Sequence, residues 1–391
     1  MPAAQYQRLP SSPRDEDREA SARAPSPKRP IDPRFDRPPP AAWKRIALIL
    51  FLAFLFWLSY AIRPTKQSAK PEVIYASRDI TNANGTRDQK SALAFEIRNA
   101  CMEVGAFYIT GHGVHHETID GLLSAMKAYF SLPLETKMKL YHKTVGNFQG
   151  YAPLLDSNID PSNRGDLLEA FGVGWKLLVL ENDETSGNND LPKAGTNIWP
   201  LEPAGFREAY LNYYHAALAV GNMLYRLFAL ALDLPETYFD KTMESAHDMR
   251  AMHYPPQTGP VDDRIVGLGA HTDFKCFTIL WQEPGIQALQ VLNSERQWIN
   301  VTPIPGTLVV NIADQLGRWT NEVFRSPVHR AVNRSGMERY SIAVFFGTNS
   351  DVQIEPIPSC ISLDRPVKYE PISAGDYERK RIEAMFYQGT P

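Results

Sequence analysis

His271-Thr272-Asp273 is answered 58 residues later by His329. Two imidazole nitrogens and one carboxylate oxygen make up the ligand set of a facial triad. Such a triad holds ferrous iron by one face and leaves the other open to substrate and O2. Neutral imidazole and ionised carboxylate suit Fe(II) or Mn(II), and no cysteine stands directly beside them to favour a thiolate site. Residues 266–282 are rich in β-branched and aromatic side chains, which predicts extended chain through 271 and 273. Side chains two apart on a strand share a face, so imidazole and carboxylate could meet at one ion. His-x-Asp alone is more often an ordinary polar turn than a metal site.

Ten residues past His329 begins Arg339-Tyr340-Ser341-Ile342-Ala343-Val344-Phe345-Phe346, a run with the composition of a strand. Period two sets Arg339, Ser341, Ala343 and Phe345 on one face and Tyr340, Ile342, Val344 and Phe346 on the other. Both faces are largely apolar, which predicts burial on both sides. A buried guanidinium is costly unless an anion meets it in good geometry. Arg339 with the hydroxyl of Ser341 makes a fork and a donor suited to a carboxylate. That anion is either one of the chain's 44 acidic residues or a carboxylate-bearing co-substrate beside the metal.

These blocks, with several others in the same order, resemble the isopenicillin N synthase-like branch of the Fe(II)/2-oxoglutarate-dependent oxygenases. The similarity runs from about Val73 to the C-terminus. It includes residues 97–114 (IRNACMEVGAFYITGHGV), residues 129–151 (YFSLPLETKMKLYHKTVGNFQGY) and His253-Tyr254-Pro255-Pro256. It continues through Asn311-Ile312-Ala313-Asp314, Thr320-Asn321, His329-Arg330 and Arg339-Tyr340-Ser341. The resemblance implies that His271, Asp273 and His329 bind Fe(II). It implies that Arg339 and Ser341 hold the distal carboxylate of 2-oxoglutarate, with the hydroxyl of Tyr254 as a third contact. Met252 departs from the Asn that many relatives carry two residues before that tyrosine. The activity implied is a dioxygenase that hydroxylates or desaturates a small organic molecule with O2, in secondary metabolism. The alternative is a 2-oxoglutarate-independent Fe(II) oxidase in which Arg339 and Ser341 grip the substrate's own carboxylate.

The elements that must position these residues fall into two stretches. Residues 92–104 read as a helix, 106–110 as an apolar strand, 117–130 as an amphipathic helix and 206–232 as a long apolar-periodic helix. After Met249 short strands alternate with Gly, Pro and Asn turns, as at 289–292, 298–301 and 308–312. Helices followed by strands make an α+β chain. The resemblance sharpens this to a double-stranded β-helix (jelly roll) core backed by helices, with residues 72–240 as the N-terminal region and 241–391 as the oxygenase core. Residues 186–197, rich in Gly and Asn, read as a surface insertion. Three widely spaced cysteines, Cys101, Cys276 and Cys360, imply no disulfide framework.

The N-terminus is different in kind. Residues 1–45 hold 10 of the 31 prolines and 10 Lys/Arg against 6 Asp/Glu, too little apolar surface to offset the entropy of ordering. Residues 1–43 therefore read as a disordered tail. Residues 46–62 (IALILFLAFLFWLSYAI) carry no charge, and the aromatic and basic residues around them predict a single transmembrane helix over 44–63. That anchor predicts a single-pass protein of the endomembrane system, in the ER or Golgi. A net charge of −3 argues against nucleic acid as a partner. The expected partners are a small-molecule substrate, O2 and the membrane, with the chain acting as a monomer.

Overall fold

The computed structural model describes Trp43, Phe51 and residues 77–145, 149–160, 165–174, 197–242, 247–257 and 266–387. The chain divides into two units, residues 1–68 and 69–391. All the elements below belong to the second. The expected tail except for Trp43, and the expected insertion at 186–197 except for Asn197, lie outside the described residues.

Fourteen strands form three sheets among the described residues. They are β1 (Ser77–Asp79), β2 (Ala106–Thr110), β3 (Gly150–Ala152), β4 (Glu169–Gly174), β5 (His247–Tyr254), β6 (Leu268–His271) and β7 (Phe277–Gln282), followed by β8 (Leu289–Leu292), β9 (Trp298–Asn300), β10 (Leu308–Ile312), β11 (His329–Ala331), β12 (Arg339–Phe346), β13 (Gln353–Ile354) and β14 (Ile372–Ser373). The large sheet runs β1-β2-β10-β7-β12-β5-β4-β3, and the smaller one β6-β11-β8-β9. Side chains from both line one cavity. This is the double-stranded β-helix expected from the sequence. Strands β1 to β4, which precede residue 241 in sequence, form the two edges of the large sheet.

Helices α1 (Arg87–Glu103), α2 (His116–Phe130), α3 (Leu134–Met138), α4 (His142–Val145) and α5 (Phe206–Ala231) precede β5. They are followed later by α6 (Asp314–Trp319) and α7 (Ala374–Tyr387). Helix α1 starts five residues before the apolar pattern does, because Thr86 and Gln89 close a reciprocal capping box. That box satisfies two backbone N–H groups at its N-terminus.

The long helix α5 backs the large sheet. Tyr210, Tyr213, Tyr214, Ala217, Val220, Gly221, Leu224, Tyr225 and Phe228 recur at the three- and four-residue spacing of one buried face. Two of its hydroxyls donate into the sheet, Tyr210 to the Met249 carbonyl at 2.7 Å and Tyr225 to the Gly347 carbonyl at 2.8 Å. Phe277 and Phe346, from β7 and β12, stack with ring centroids 4.7 Å apart, and Tyr225 meets Phe277 edge-on. The helix approaches this stack at Gly221, where a Cβ would overlap the Phe346 ring.

One expectation is corrected. No helix among the described residues is long and apolar enough to cross a membrane. Residues 44–63, apart from Phe51, lie outside those residues. The uncharged run at 46–62 is 17 residues long, at the short end of what a spanning helix requires. The single-pass membrane anchor and the ER or Golgi placement that rested on it are not supported.

The contact at Gly221 makes the first prediction. Gly221→Val adds volume against a ring already held in a stack, at a cost of about 1–3 kcal/mol. The urea midpoint should fall with little change in slope, and an unchanged midpoint would show that α5 and the sheet are not packed as described.

Candidate functional site

Antiparallel pairing of β6 with β11 sets His271 directly opposite His329. Their rings lie 4.3 Å apart, centroid to centroid. Asp273 does not continue the strand. Strand β6 ends at His271 and the chain bends at 274–276 before β7 begins. His271 and Asp273 both line the cavity while the Thr272 hydroxyl bonds away from it to Asp314, the alternation that period two predicts. Asp273 Oδ1 stands 3.6 Å from His271 Nε2 and 3.7 Å from His329 Nε2. One ligand atom from each residue falls within 4.8 Å of the others.

Neighbouring groups decide which atoms face inward. His271 Nδ1 lies 2.8 Å from the Gly269 carbonyl and His329 Nδ1 lies 3.1 Å from the Pro327 carbonyl. A carbonyl only accepts, so each Nδ1 carries the proton and each Nε2 is left with its lone pair. Asp273 Oδ2 accepts from the Thr278 hydroxyl at 2.5 Å and from Asn311 Nδ2 at 2.8 Å. Oδ1 remains for the inward side. The turn itself is tied to α6, whose Asp314 and Gln315 amides donate to the Asp273 and Lys275 carbonyls at 2.9 Å each.

Burial alone would raise the Asp273 carboxyl. His329, His271 and the Thr278 hydroxyl outweigh it and hold the group well below the usual carboxylate range. Burial and the neighbouring His271 keep His329 below the ordinary imidazole value. For His271 burial is outweighed by Asp273, which raises it. Two imidazole nitrogens and a carboxylate oxygen at this separation fit a divalent cation with carboxylate and imidazole preferences.

Arg339, at the start of β12, is 1% exposed. Its Nη1 lies 3.4 Å from Ser341 Oγ and its Nη2 donates to Gln282 Oε1 at 3.2 Å. The guanidinium sits 4.7 Å from the centre of the Tyr254 ring. No carboxylate among the described residues pairs with it, and its Nε is buried without a hydrogen-bond partner. Burial lowers its pKa, with Tyr254 and Glu283 opposing. An isolated buried cation costs roughly several kcal/mol. The internal ion pair weighed as an alternative for Arg339 is thus absent among these residues, and an external anion fits the gap. The Tyr254 hydroxyl lies 3.6 Å from the thioether of Met252, so the side chain that replaces the family's Asn occupies that tyrosine's hydrogen-bonding position.

All six expected residues, His271, Asp273, His329, Arg339, Ser341 and Tyr254, line one cavity. Its remaining wall is mostly apolar and includes Leu268, Leu280, Val291, Val309 and Phe345. His253 turns to the other side of the sheet, where it meets Glu169 at 2.8 Å and stacks on Tyr340. Sequence reasoning did not assign Thr278, Gln282 or the orienting part of Asn311. Each is a polar residue inside an otherwise apolar strand, FTILWQ or LVVNI, and that contrast was the available signal.

Comparison with known proteins agrees with this geometry. Residues 245–348 match the 2OG-Fe(II) oxygenase superfamily, and residues 77–202 match the N-terminal region described as non-haem dioxygenase in morphine synthesis. The chain is 35% identical over 297 residues to the 2-oxoglutarate-Fe(II) type oxidoreductase hxnY of Emericella nidulans, covering 74% of this chain and 84% of that one. It is 34% identical over 314 residues to the 2-oxoglutarate-Fe(II) type oxidoreductase ppzC of Metarhizium majus, covering 76% and 83%. A full-length Neurospora crassa protein, crystallised in complex with alpha-KG and thymine, superposes with a TM-score of 0.69 at 27% identity, over 79% of this chain and 96% of that one. The chain belongs to the 2OG-Fe(II) oxygenase superfamily and fits its isopenicillin N synthase-like family. It is a 2-oxoglutarate-dependent dioxygenase, an enzyme of a family that uses Fe(II) and 2-oxoglutarate.

The hydrogen bonds to Asp273 generate the second prediction. Asn311→Ala removes one of the two donors to Oδ2 and leaves the carboxylate held by Thr278 alone, so divalent-metal affinity should fall about 10–100-fold. Titration with Co(II), which resists oxidation, would read this, and wild-type affinity in the variant would show that Asn311 does not orient the ligand.

Proposed function

We propose that His271, Asp273 and His329 hold the iron, that Arg339, Ser341 and Tyr254 hold 2-oxoglutarate, and that the enzyme hydroxylates or desaturates a small organic molecule of secondary metabolism. The observation that carries this reading is Arg339. A fully buried guanidinium with no carboxylate partner among the described residues faces the cavity that the His-Asp-His cluster lines. A dicarboxylate bound there would supply the missing anion at one end while its other end reached the metal.

The chain's own groups supply binding, orientation and dryness. The Nε2 atoms and Asp273 Oδ1 offer three donors on one side of an ion. The Gly269 and Pro327 carbonyls, with Thr278 and Asn311, keep those donors from rotating away. Arg339 and Ser341 fix the far end of the co-substrate before O2 enters, which removes orientational freedom from the later steps. When bound, iron and 2-oxoglutarate together supply the oxidising power for C–H cleavage, with O2 as oxidant and succinate and CO2 as co-products. Apolar walls at Leu268, Leu280, Val291 and Phe345 limit water around the reacting groups. The thymine bound beside alpha-KG in the Neurospora crassa structure supports a small organic molecule as the substrate.

Arg339→Ala tests the co-substrate assignment. Truncating a buried charge that meets an anion costs about 2–5 kcal/mol, so KM for 2-oxoglutarate should rise at least about 30-fold while Co(II) affinity stays near wild type. Equal loss of metal binding would contradict the division of roles. O2 uptake that proceeds without added 2-oxoglutarate would favour the oxidase that grips its substrate's carboxylate.

A further inference from the structure

Thr272, the residue between the two ligands of the His-Thr-Asp turn, turns its hydroxyl away from the cavity and into a polar network. It donates to Asp314 Oδ2 at 3.0 Å and accepts from Arg381 Nη2 at 3.1 Å. Arg381 Nη1 also lies 3.3 Å from Asp314 Oδ2, and Tyr377 donates its hydroxyl to the same oxygen at 3.0 Å. The Ser326 hydroxyl donates to the other oxygen, Oδ1, at 2.8 Å. The Arg381 guanidinium lies 4.6 Å from the centre of the Phe274 ring, one residue past Asp273. Glu378 stands 3.9 Å from Lys275, within the same bend. Tyr377, Glu378 and Arg381 occupy one face of α7 at helical spacing, and all three meet the segment 272–275 or its partner Asp314.

We infer that the C-terminal helix α7 is a clasp on the metal-binding turn and that Arg381 is a positioning residue for His271 and Asp273. The turn needs such support, because Asp273 lies outside β6 and its position is not set by strand pairing. Arg381 bridges Thr272 and Asp314 with separate nitrogens. The Asp314 backbone amide in turn donates to the Asp273 carbonyl. The guanidinium is more than one-third exposed, and exposed ion pairs contribute little to stability, so a role confined to holding the helix down is a poor account of it. The inference rests on His271, Asp273 and His329 being the ligands.

The test is Co(II) titration of the full-length chain followed by visible absorption, alongside melting of the metal-free protein. The proteins compared are wild type, Arg381→Ala, Tyr377→Phe and, as a control on the same helix, Arg379→Ala, which removes a side chain paired with Asp376. Arg381→Ala should raise the Co(II) Kd about 10-fold or more, as loss of outer partners of metal ligands does. Its metal-free melting temperature should match that of Arg379→Ala. Tyr377→Phe, which keeps its ring, should shift Kd in the same direction by less. A wild-type Kd in Arg381→Ala would overturn the clasp. So would weakened binding that tracks a lost folded fraction while Tyr377→Phe binds like wild type. A wild-type chain that binds no Co(II) would overturn the ligand assignment beneath it.

Discussion

A buried carboxylate that must stay ionised with one oxygen free is the constraint around which this site is built. Asp273 loses water on all sides, and burial alone would protonate it. Two hydrogen bonds to Oδ2 and two imidazoles near Oδ1 reverse that outcome. Those four contacts come from four different places in the chain. They require β7 and β10 to carry one polar side chain each in apolar runs, and β6 and β11 to pair in the register that opposes His271 to His329. The aromatic packing of α5 against Phe277 and Phe346 holds β7 and β12 together, and so keeps Thr278 and Arg339 in one frame.

Arg339 poses the complementary problem at the other end of the cavity. Asp273 is an anion whose Oδ2 accepts two hydrogen bonds while Oδ1 faces the cavity, whereas Arg339 is a cation whose anion the described residues do not supply. The two charges lie in one largely apolar cavity, and a metal held by Asp273 together with a dicarboxylate held by Arg339 would balance both. Neither charge would be tolerable alone at this depth, so the fold is arranged for a bound state. Tyr254 covers the guanidinium with its ring, and Met252 occupies its hydroxyl.

Much of this was legible in the sequence, for reasons that can be stated residue by residue. The strand 339–346 was readable because both its faces are apolar, and the arginine at its head stood out for that reason. The helix at 206–232 was readable from its spacing. Asp273 was identified by type and by its two-residue spacing from His271, whereas the β-branched content of 266–282 hides the bend at 274–276 that follows it. Thr278 and Asn311 needed the register of β7 and β10 before their side chains could be aimed at Asp273. The network of Thr272, Asp314 and Arg381 joins residues 109 positions apart, and no local pattern announces it. The uncharged run at 46–62 was read as a spanning helix on composition, and no helix among the described residues is long and apolar enough to cross a membrane.

The most direct test of the central assignment is an anaerobic titration of the full-length protein with Fe(II) and then 2-oxoglutarate. The account predicts a visible charge-transfer band when the co-substrate chelates the metal, and no band in Asp273→Ala. Iron binding without that band, or a band that survives loss of the Asp273 carboxylate, would contradict it.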